Sequence, residues 1–358
     1  MRIKKEKNFI SIFNEQTGEY VRSGIIKNGT DTGEDPFMAS FPELLDVGIM
    51  GHCLHGQTGL CQKAKIGCYQ DGLHSTKNNM SLADFQHIVE QCQNRTFQFA
   101  LGGCGDPDQH ENFPEILQMC KEAGIVPNFT TSGYGLTEQL ASICKKYCGT
   151  VAVSWYRSTY TKRAIHMLLE AKVKTNIHYV LSKSTIREAL QLLKETAMNT
   201  GNGFPSGINA VIFLLHKPVG LGKREEMITL NNKTFQKFIT YIDTHTFPYK
   251  IGFDSCTVPA LLNMTNVNPD SLDTCEGGRW SAYITPDMKL LPCSFDNQAQ
   301  HWSVDLRTHS IEEAWNSETF DNFRSRFVKS CSSCEKRASC MGGCPMIPEI
   351  VLCERRER

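Results

Sequence analysis

No apolar run in this chain approaches the ~20 residues that span a bilayer. The first residues, MRIKKEKNFISIF, carry charge but no apolar core of roughly 7–15 residues followed by small ones, so they do not form a signal peptide. A cytoplasmic, non-membrane protein is the expectation. An excess of charge is also missing: 38 Lys and Arg balance 38 Asp and Glu. That argues against a nucleic-acid binder working by bulk charge. Charged residues, at 21%, are too few for disorder, and hydrophobic residues, at 40%, suffice for a core. The 358 residues predict two domains, or one large α/β domain plus an extension, at ~150 residues per domain.

What the chain does have is cysteine, sixteen in all. In a reducing compartment metal binding is a better reading than disulfides. Cys53, Cys61 and Cys68 lie near the N-terminus. Cys92, Cys104, Cys120, Cys144 and Cys148 are scattered through periodic segments. Cys256, Cys275, Cys293, Cys331, Cys334, Cys340, Cys344 and Cys353 crowd the last third. Eight thiolates close two four-coordinate sites, whereas three leave a site one ligand short.

Residues 8–25 read as a hairpin, NFISIF and YVRSGI about the turn NEQTGE. Residues 28–41 are turn-rich and read as a wrap. From Leu44 to about Asp254, apolar strands alternate with amphipathic helices. One helix opens on Ser81, with Asp84 three residues on; another ends at Gly124. Six or seven βα units predict a parallel sheet with helices outside, closed as a full or partial (β/α) barrel. Chemistry in such folds sits at the C-terminal ends of the strands. Cys53, the turn GGCGDP, Ser132, Ser154 and Arg157 all fall there. After Asp254 the alternation stops. A short hairpin, a small helix and the cysteine run remain, with so little apolar matter that metal sites are expected to hold them. The division reads 1–43, 44–254 and 255–358.

Three thiolates on the glycine-rich loop GHCLHGQTGLCQKAKIGCYQDG suit a [4Fe–4S] cluster whose fourth iron stays open. A zinc loop is the alternative, with His52 or His55 as fourth ligand, and Cys104 is a nearby further thiol. LGGCGDP (101–107) then ends the next strand, where glycines allow close backbone approach and unpaired carbonyls can receive an ammonium group. This pair resembles the radical S-adenosylmethionine (radical SAM) superfamily: a cysteine loop after strand one and a GGEP-like turn after strand two. Here Gly102, Gly103, Gly105, Asp106 and Pro107 stand in that turn, with Asp for the commoner Glu. The cysteine spacing departs from the usual CxxxCxxC. The resemblance implies that Cys53, Cys61 and Cys68 ligate the cluster and that its open iron chelates SAM.

The C-terminal run, CxxCxxxxxCxxxC over Cys331, Cys334, Cys340 and Cys344 with Cys353 beyond, follows GRWSAYITPDMKLLPC. It resembles the SPASM extension of radical SAM proteins. That resemblance implies two auxiliary [4Fe–4S] clusters with crossed ligation. Cys256, Cys275, Cys293 and Cys344 would hold the first; Cys331, Cys334, Cys340 and Cys353 the second. The fold implied is a partial (β/α)6 TIM-like barrel with a small Cys-rich extension.

Ser154 and Arg157 resemble family positions that hold the SAM ribose and carboxylate, with Ser132 and Asn176 similar. HKPVGLGK (216–223) is a plain loop or a contact for adenine or substrate. Cys104 is a candidate hydrogen-atom donor. Cys92, Cys120, Cys144 and Cys148 read as core packing. His110 fits a structural or a site role.

SPASM-bearing members mostly modify peptides and proteins. The implied function is therefore reductive cleavage of SAM to a 5′-deoxyadenosyl radical that abstracts hydrogen from a ribosomally made peptide, installing a thioether or carbon–carbon cross-link or an epimer. It is oxidoreductase-type chemistry, served by a flavodoxin- or ferredoxin-like one-electron donor. An anaerobic sulfatase-maturing enzyme is the alternative within enzymes, but the carboxylate base it needs is not placed by sequence. A zinc-stabilised binding module without chemistry is the alternative of another class. No leader-binding domain of ~80 residues is seen before the barrel, so peptide recognition is expected to use residues 1–43, the C-terminal extension or a partner protein.

Overall fold

The computed structural model describes residues 1–28, 30–31, 37–329, 331, 334–350 and 352–353. Part of the wrap read at 28–41 therefore lies outside the described residues. The first strands are β1 (Arg2–Lys5), β2 (Phe9–Phe13) and β3 (Tyr20–Gly24), a three-stranded antiparallel sheet, followed by a short pair β4 (Ile26–Lys27) and β5 (Thr30–Asp31). The hairpin read in the sequence is present as β2 and β3, with Phe13 opposite Tyr20.

Seven parallel strands follow: β6 (Leu44–Met50), β7 (Gln98–Gly103), β8 (Val126–Thr131), β9 (Val151–Ser154), β10 (Thr175–Leu181), β11 (Ala210–Leu215) and β12 (Lys250–Phe253). They lie side by side in chain order. A small helix α1 (Leu60–Lys63) interrupts the cysteine loop after β6. The crossovers are α2 (Leu82–Cys92), α3 (Phe113–Glu122), α4 (Glu138–Tyr147), α5 (Thr159–Glu170), α6 (Ile186–Ala197) and α7 (Lys233–Thr244). Six βα units and a closing strand make the partial barrel that the alternation predicted.

Local chemistry sets the helix starts. Ser81 Oγ accepts from the Asp84 N–H at 3.1 Å and donates to its carboxylate at 2.9 Å. Thr137, Ser158 and Asn232 cap α4, α5 and α7 in the same way. Each helix buries one face, for example Phe85, Ile88, Val89 and Cys92 of α2. On the strands, alternate residues point inward. Gln98, Ala100, Asn128, Thr130, Ala152, Asn176 and His178 line a cavity of about 260 Å³ inside the sheet.

The turn between β2 and β3 closes that cavity, with Phe13, Glu15 and Gly18 in its lining. Arg2 donates to the carbonyls of Thr96 (3.2 Å) and Gly124 (2.7 Å), and Lys174 to Thr17. These partners sit just before strands, so the N-terminal sheet covers the end of the barrel opposite the cysteine loop.

The C-terminal segment does not stand apart. After α8 (Val258–Met264), β13 (Ser281–Ile284) pairs parallel to β6, and β14 (Lys289–Leu291) and β15 (Val304–Asp305) extend the same sheet. Met288 makes the hairpin turn at φ +63°, a conformation that L side chains seldom adopt. Ala282, Ile284, Leu290, Trp315, Ile347 and Leu352 belong to the barrel's own hydrophobic core. The segment thus has apolar anchorage that its sequence, taken alone, conceals. Trp315, on α9 (Ile311–Trp315), is 1% exposed and its indole N–H donates to Ala39 O at 2.9 Å. Trp315→Ala is expected to cost about 3–5 kcal/mol, read as a lowered urea midpoint at unchanged slope.

Candidate functional site

The cysteine loop leaves the C-terminal end of β6 and lies over the ends of β7 to β9. A Cβ placed on Gly72 would stand 3.5 Å from Cys53 Sγ and 3.6 Å from Cys68 Sγ, so these two sulfurs converge on one point. The Gly72 N–H also faces Cys68 Sγ at 3.4 Å. Cys61 Sγ meets the Tyr156 hydroxyl at 3.3 Å, and its thiol feels the charges of Cys68 and Cys53. Burial pushes Cys61 up to about 11, so loading a metal centre must expel its proton.

The chemistry of this donor set fits a cluster that spreads three thiolates over three irons. Of the two histidines weighed as zinc ligands, each has one ring nitrogen engaged by another group. His52 Nδ1 bonds Lys77 O at 3.1 Å, and His55 Nε2 lies 2.7 Å from Gln109 Nε2 and 3.5 Å from Asp106.

The turn after β7 lies directly below. Gly103 adopts φ +114°, and a side chain there would collide with Met50 of the neighbouring strand, so only glycine fits. Gly102 differs: a Cβ on it would meet nothing within 4 Å. Asp106 accepts from the Ser132 N–H at 2.8 Å and the Ser132 hydroxyl at 2.5 Å, tying the end of β7 to the end of β8. Burial raises the Asp106 pKa, and Pro107 opens the short turn that follows. Asp108 is pushed up to about 7 by burial and then by the Asp106 charge.

Ser154 ends β9 beside His178. Arg157, at φ +61°, donates to Glu188 (2.5 Å), to the Tyr179 hydroxyl (3.1 Å) and to Ala64 O (2.8 Å). It thereby clasps the cysteine loop to β10 and α6. Asn176 lies at the opposite end, in the cavity closed by the N-terminal turn. Cys104 is buried and donates to Gln70 O at 3.3 Å, with Cys68 and Cys53 near. His110 is a structural residue, Nε2 on Met80 O at 2.9 Å and Nδ1 accepting from Asn112 N–H at 3.1 Å. Cys92, Cys120 and Cys144 are fully buried in the helix layer.

The later cysteines form two groups. Cys256 lies in the turn after β12 and hydrogen-bonds Cys344; Cys275 and Cys293 feel each other and Cys256. Cys340 feels Cys353 and Cys331, and Cys334 N–H donates to Cys331 O at 3.0 Å.

Several residues escaped the sequence reading. Asp46, on β6, is paired in register with Tyr283 of β13 and is pushed up to about 7 by burial and then by Glu276. The Tyr283 hydroxyl is buried and faces Gln70. Phe295 also escaped that reading; its ring rests against Tyr69, the aromatic beside Cys68, at 4.8 Å between ring centres. A carboxylate inside the apolar run LLDVGIM was a visible signal for Asp46; nothing in the sequence marks Glu276, whose role depends on the β6–β13 pairing.

Residues 275–340 match the SPASM family, an iron-sulfur cluster-binding domain. PqqA peptide cyclase of Methylocella silvestris is 24% identical over 271 residues, 67% of each chain. Streptococcus suis SuiB bound to S-adenosylmethionine superposes with a TM-score of 0.66 at 16% identity, over 89% of this chain and 78% of that one. SuiB bound to precursor peptide SuiA gives 0.65 at 17%, over 86% and 72%. Native anSMEcpe with bound AdoMet and Cp18Cys peptide gives 0.58 at 16%, over 85% and 89%. These likenesses bear out the resemblance read in the motifs, a radical SAM chain with a SPASM extension, and the partial-barrel fold. No helix among the described residues is long and apolar enough to cross a membrane.

Proposed function

We propose that this chain is an oxidoreductase-type radical SAM enzyme that modifies a residue of a ribosomally made peptide by a thioether or carbon–carbon cross-link or an epimerisation. The observation that carries it is the convergence of Cys53 and Cys68 on Gly72, beside the GGCGDP turn, at the C-terminal mouth of the parallel sheet. In this reading Cys53, Cys61 and Cys68 hold a [4Fe–4S] cluster, and Gly102, Gly103, Gly105, Asp106, Pro107, Ser132, Ser154 and Arg157 shape the SAM site. The two later sets hold auxiliary clusters, three clusters in all. When bound, the first cluster supplies the electron that cleaves SAM and so starts hydrogen abstraction from the peptide.

The chain's own residues do the rest. Tyr156 covers Cys61, and the Arg157 clasp keeps the cysteine loop down on the barrel. Gly102 leaves open space beside that turn. The Asp106–Ser132 bonds fix the rim, and the covering loops keep water from a reactive centre. The peptide enters from the same mouth, and a flavodoxin- or ferredoxin-like protein delivers the electron.

SuiB bound to precursor peptide SuiA and the PqqA peptide cyclase support a peptide substrate. A second reading, oxidation of Cys or Ser to formylglycine, needs a carboxylate base, and the buried carboxylates Asp46 and Glu276, both raised by burial, are its candidates. The two readings separate on substrate. Incubation with SAM and dithionite should cross-link or epimerise a precursor peptide encoded beside the gene; conversion of a sulfatase peptide to its aldehyde instead establishes the second. The non-catalytic zinc module requires zinc without sulfide, whereas the proposal requires iron and sulfide at about twelve each per chain.

Arg157→Gln tests the clasp. It is expected to lower iron retained per chain after desalting, because Ala64 O and Glu188 lose their shared donor. Iron retention equal to the parent chain contradicts the clasp.

A further inference from the structure

Lys217 is 6% exposed and is the second residue of the loop 216–223 that follows β11. A buried ammonium is costly unless it is paired. Its Nζ pairs with Asp254, just past β12, and stands 4.8 Å from the centre of the Phe295 ring. Asp254 is held in turn. It accepts from the Leu215 N–H at 3.0 Å and from the Thr257 hydroxyl at 2.8 Å, which fixes the turn Ser255–Thr257 carrying Cys256. Phe295 lies two residues past Cys293, and its backbone N–H points at that sulfur. Cys256 and Cys344 both lie within the ammonium's electrostatic reach. Glu276 acts in the opposite sense on Cys275 and Cys293.

The same loop also touches the first cysteine site. Leu221 N–H donates to Cys68 O at 2.8 Å. A Cβ on Gly220 would stand 2.6 Å from the carbonyl oxygens of Cys68 and Tyr69, so the two backbones are in close contact. One loop therefore contacts the Cys68 segment and places a cation against the Cys256 set.

We propose that Lys217 is a positioning residue of the site formed by Cys256, Cys275, Cys293 and Cys344, and that its positive charge favours the reduced form of the cluster bound there. Reduction adds negative charge to a cluster. Nearby charge and hydrogen bonding set its potential, and a low-dielectric interior strengthens the effect. Asp254 keeps the ammonium charged and in place. The inference rests on reading those four cysteines as a cluster site. If the parent protein shows no auxiliary cluster, that reading fails, not this one.

The test is an anaerobic redox titration followed by electron paramagnetic resonance, on the full chain with its clusters reconstituted. In Lys217→Met, one auxiliary cluster is expected to show a reduced-to-oxidised ratio about tenfold lower at the same poise, equivalent to about 59 mV for a one-electron couple. Lys217→Arg should restore the ratio. An unchanged ratio in Lys217→Met, with all clusters present, overturns the proposal. If Lys217→Met instead loses that cluster, its retention in Lys217→Arg supports the charge requirement, and its loss in both overturns it.

Discussion

Replacing Cys53, Cys61 and Cys68 together by alanine is expected to reduce 5′-deoxyadenosine release from SAM and dithionite to the level of the enzyme-free control. Iron should fall by about four atoms per chain. Each thiol is a ligand of one shared centre in this account, so Cys53→Ala or Cys68→Ala alone should bring most of the same loss. The fold should survive, because the loop lies outside the main core. Cys53, Cys61 and Cys68 are only partly buried, and the barrel's apolar cluster contains none of them. Unchanged far-ultraviolet circular dichroism alongside lost SAM cleavage is the expected pair of readings. Continued SAM cleavage by the triple variant would show that the ligands lie elsewhere.

The second large effect separates the two ends of the chain. Cys275→Ala combined with Cys293→Ala should also remove about four irons per chain, yet uncoupled 5′-deoxyadenosine release should persist. The physical ground is that Cys53, Cys61 and Cys68 are placed by β6, Gly72 and Arg157, none of which depends on Cys275 or Cys293. The β13 hairpin is held by strand pairing and by Trp315, so it should stay seated without those sulfurs. Total loss of SAM cleavage in this variant, with the first cluster still present by its spectrum, contradicts that independence.

The alternation of apolar strands and helices was legible because period-two and period-3.6 patterns alternate cleanly from Leu44 to Asp254. The cysteine loop and the GGCGDP turn were legible because glycine and cysteine at a strand end have few structural uses. Less visible were features that depend on tertiary pairing. The β6–β13 ladder joins residues more than 230 positions apart, and it alone brings Asp46, Tyr283 and Glu276 together. The anchorage of the C-terminal segment was hidden for the same reason: its apolar residues are few, and their partners belong to the barrel. Arg157 was read by position toward the SAM carboxylate, whereas its neighbours Glu188 and Ala64 come from a distant helix and from the cysteine loop. Residues 1–43 carried no motif, and their seat on the far end of the barrel follows from Arg2 and Lys174 contacts that no local pattern encodes.

The central claim, an iron left open by a three-cysteine site, is tested most directly by electron–nuclear double resonance on the reduced protein mixed with SAM labelled at its amino nitrogen. The account predicts a hyperfine coupling to that nitrogen that disappears in Cys68→Ala. A fully loaded first cluster showing no such coupling, its fourth iron held by a protein side chain, would contradict it.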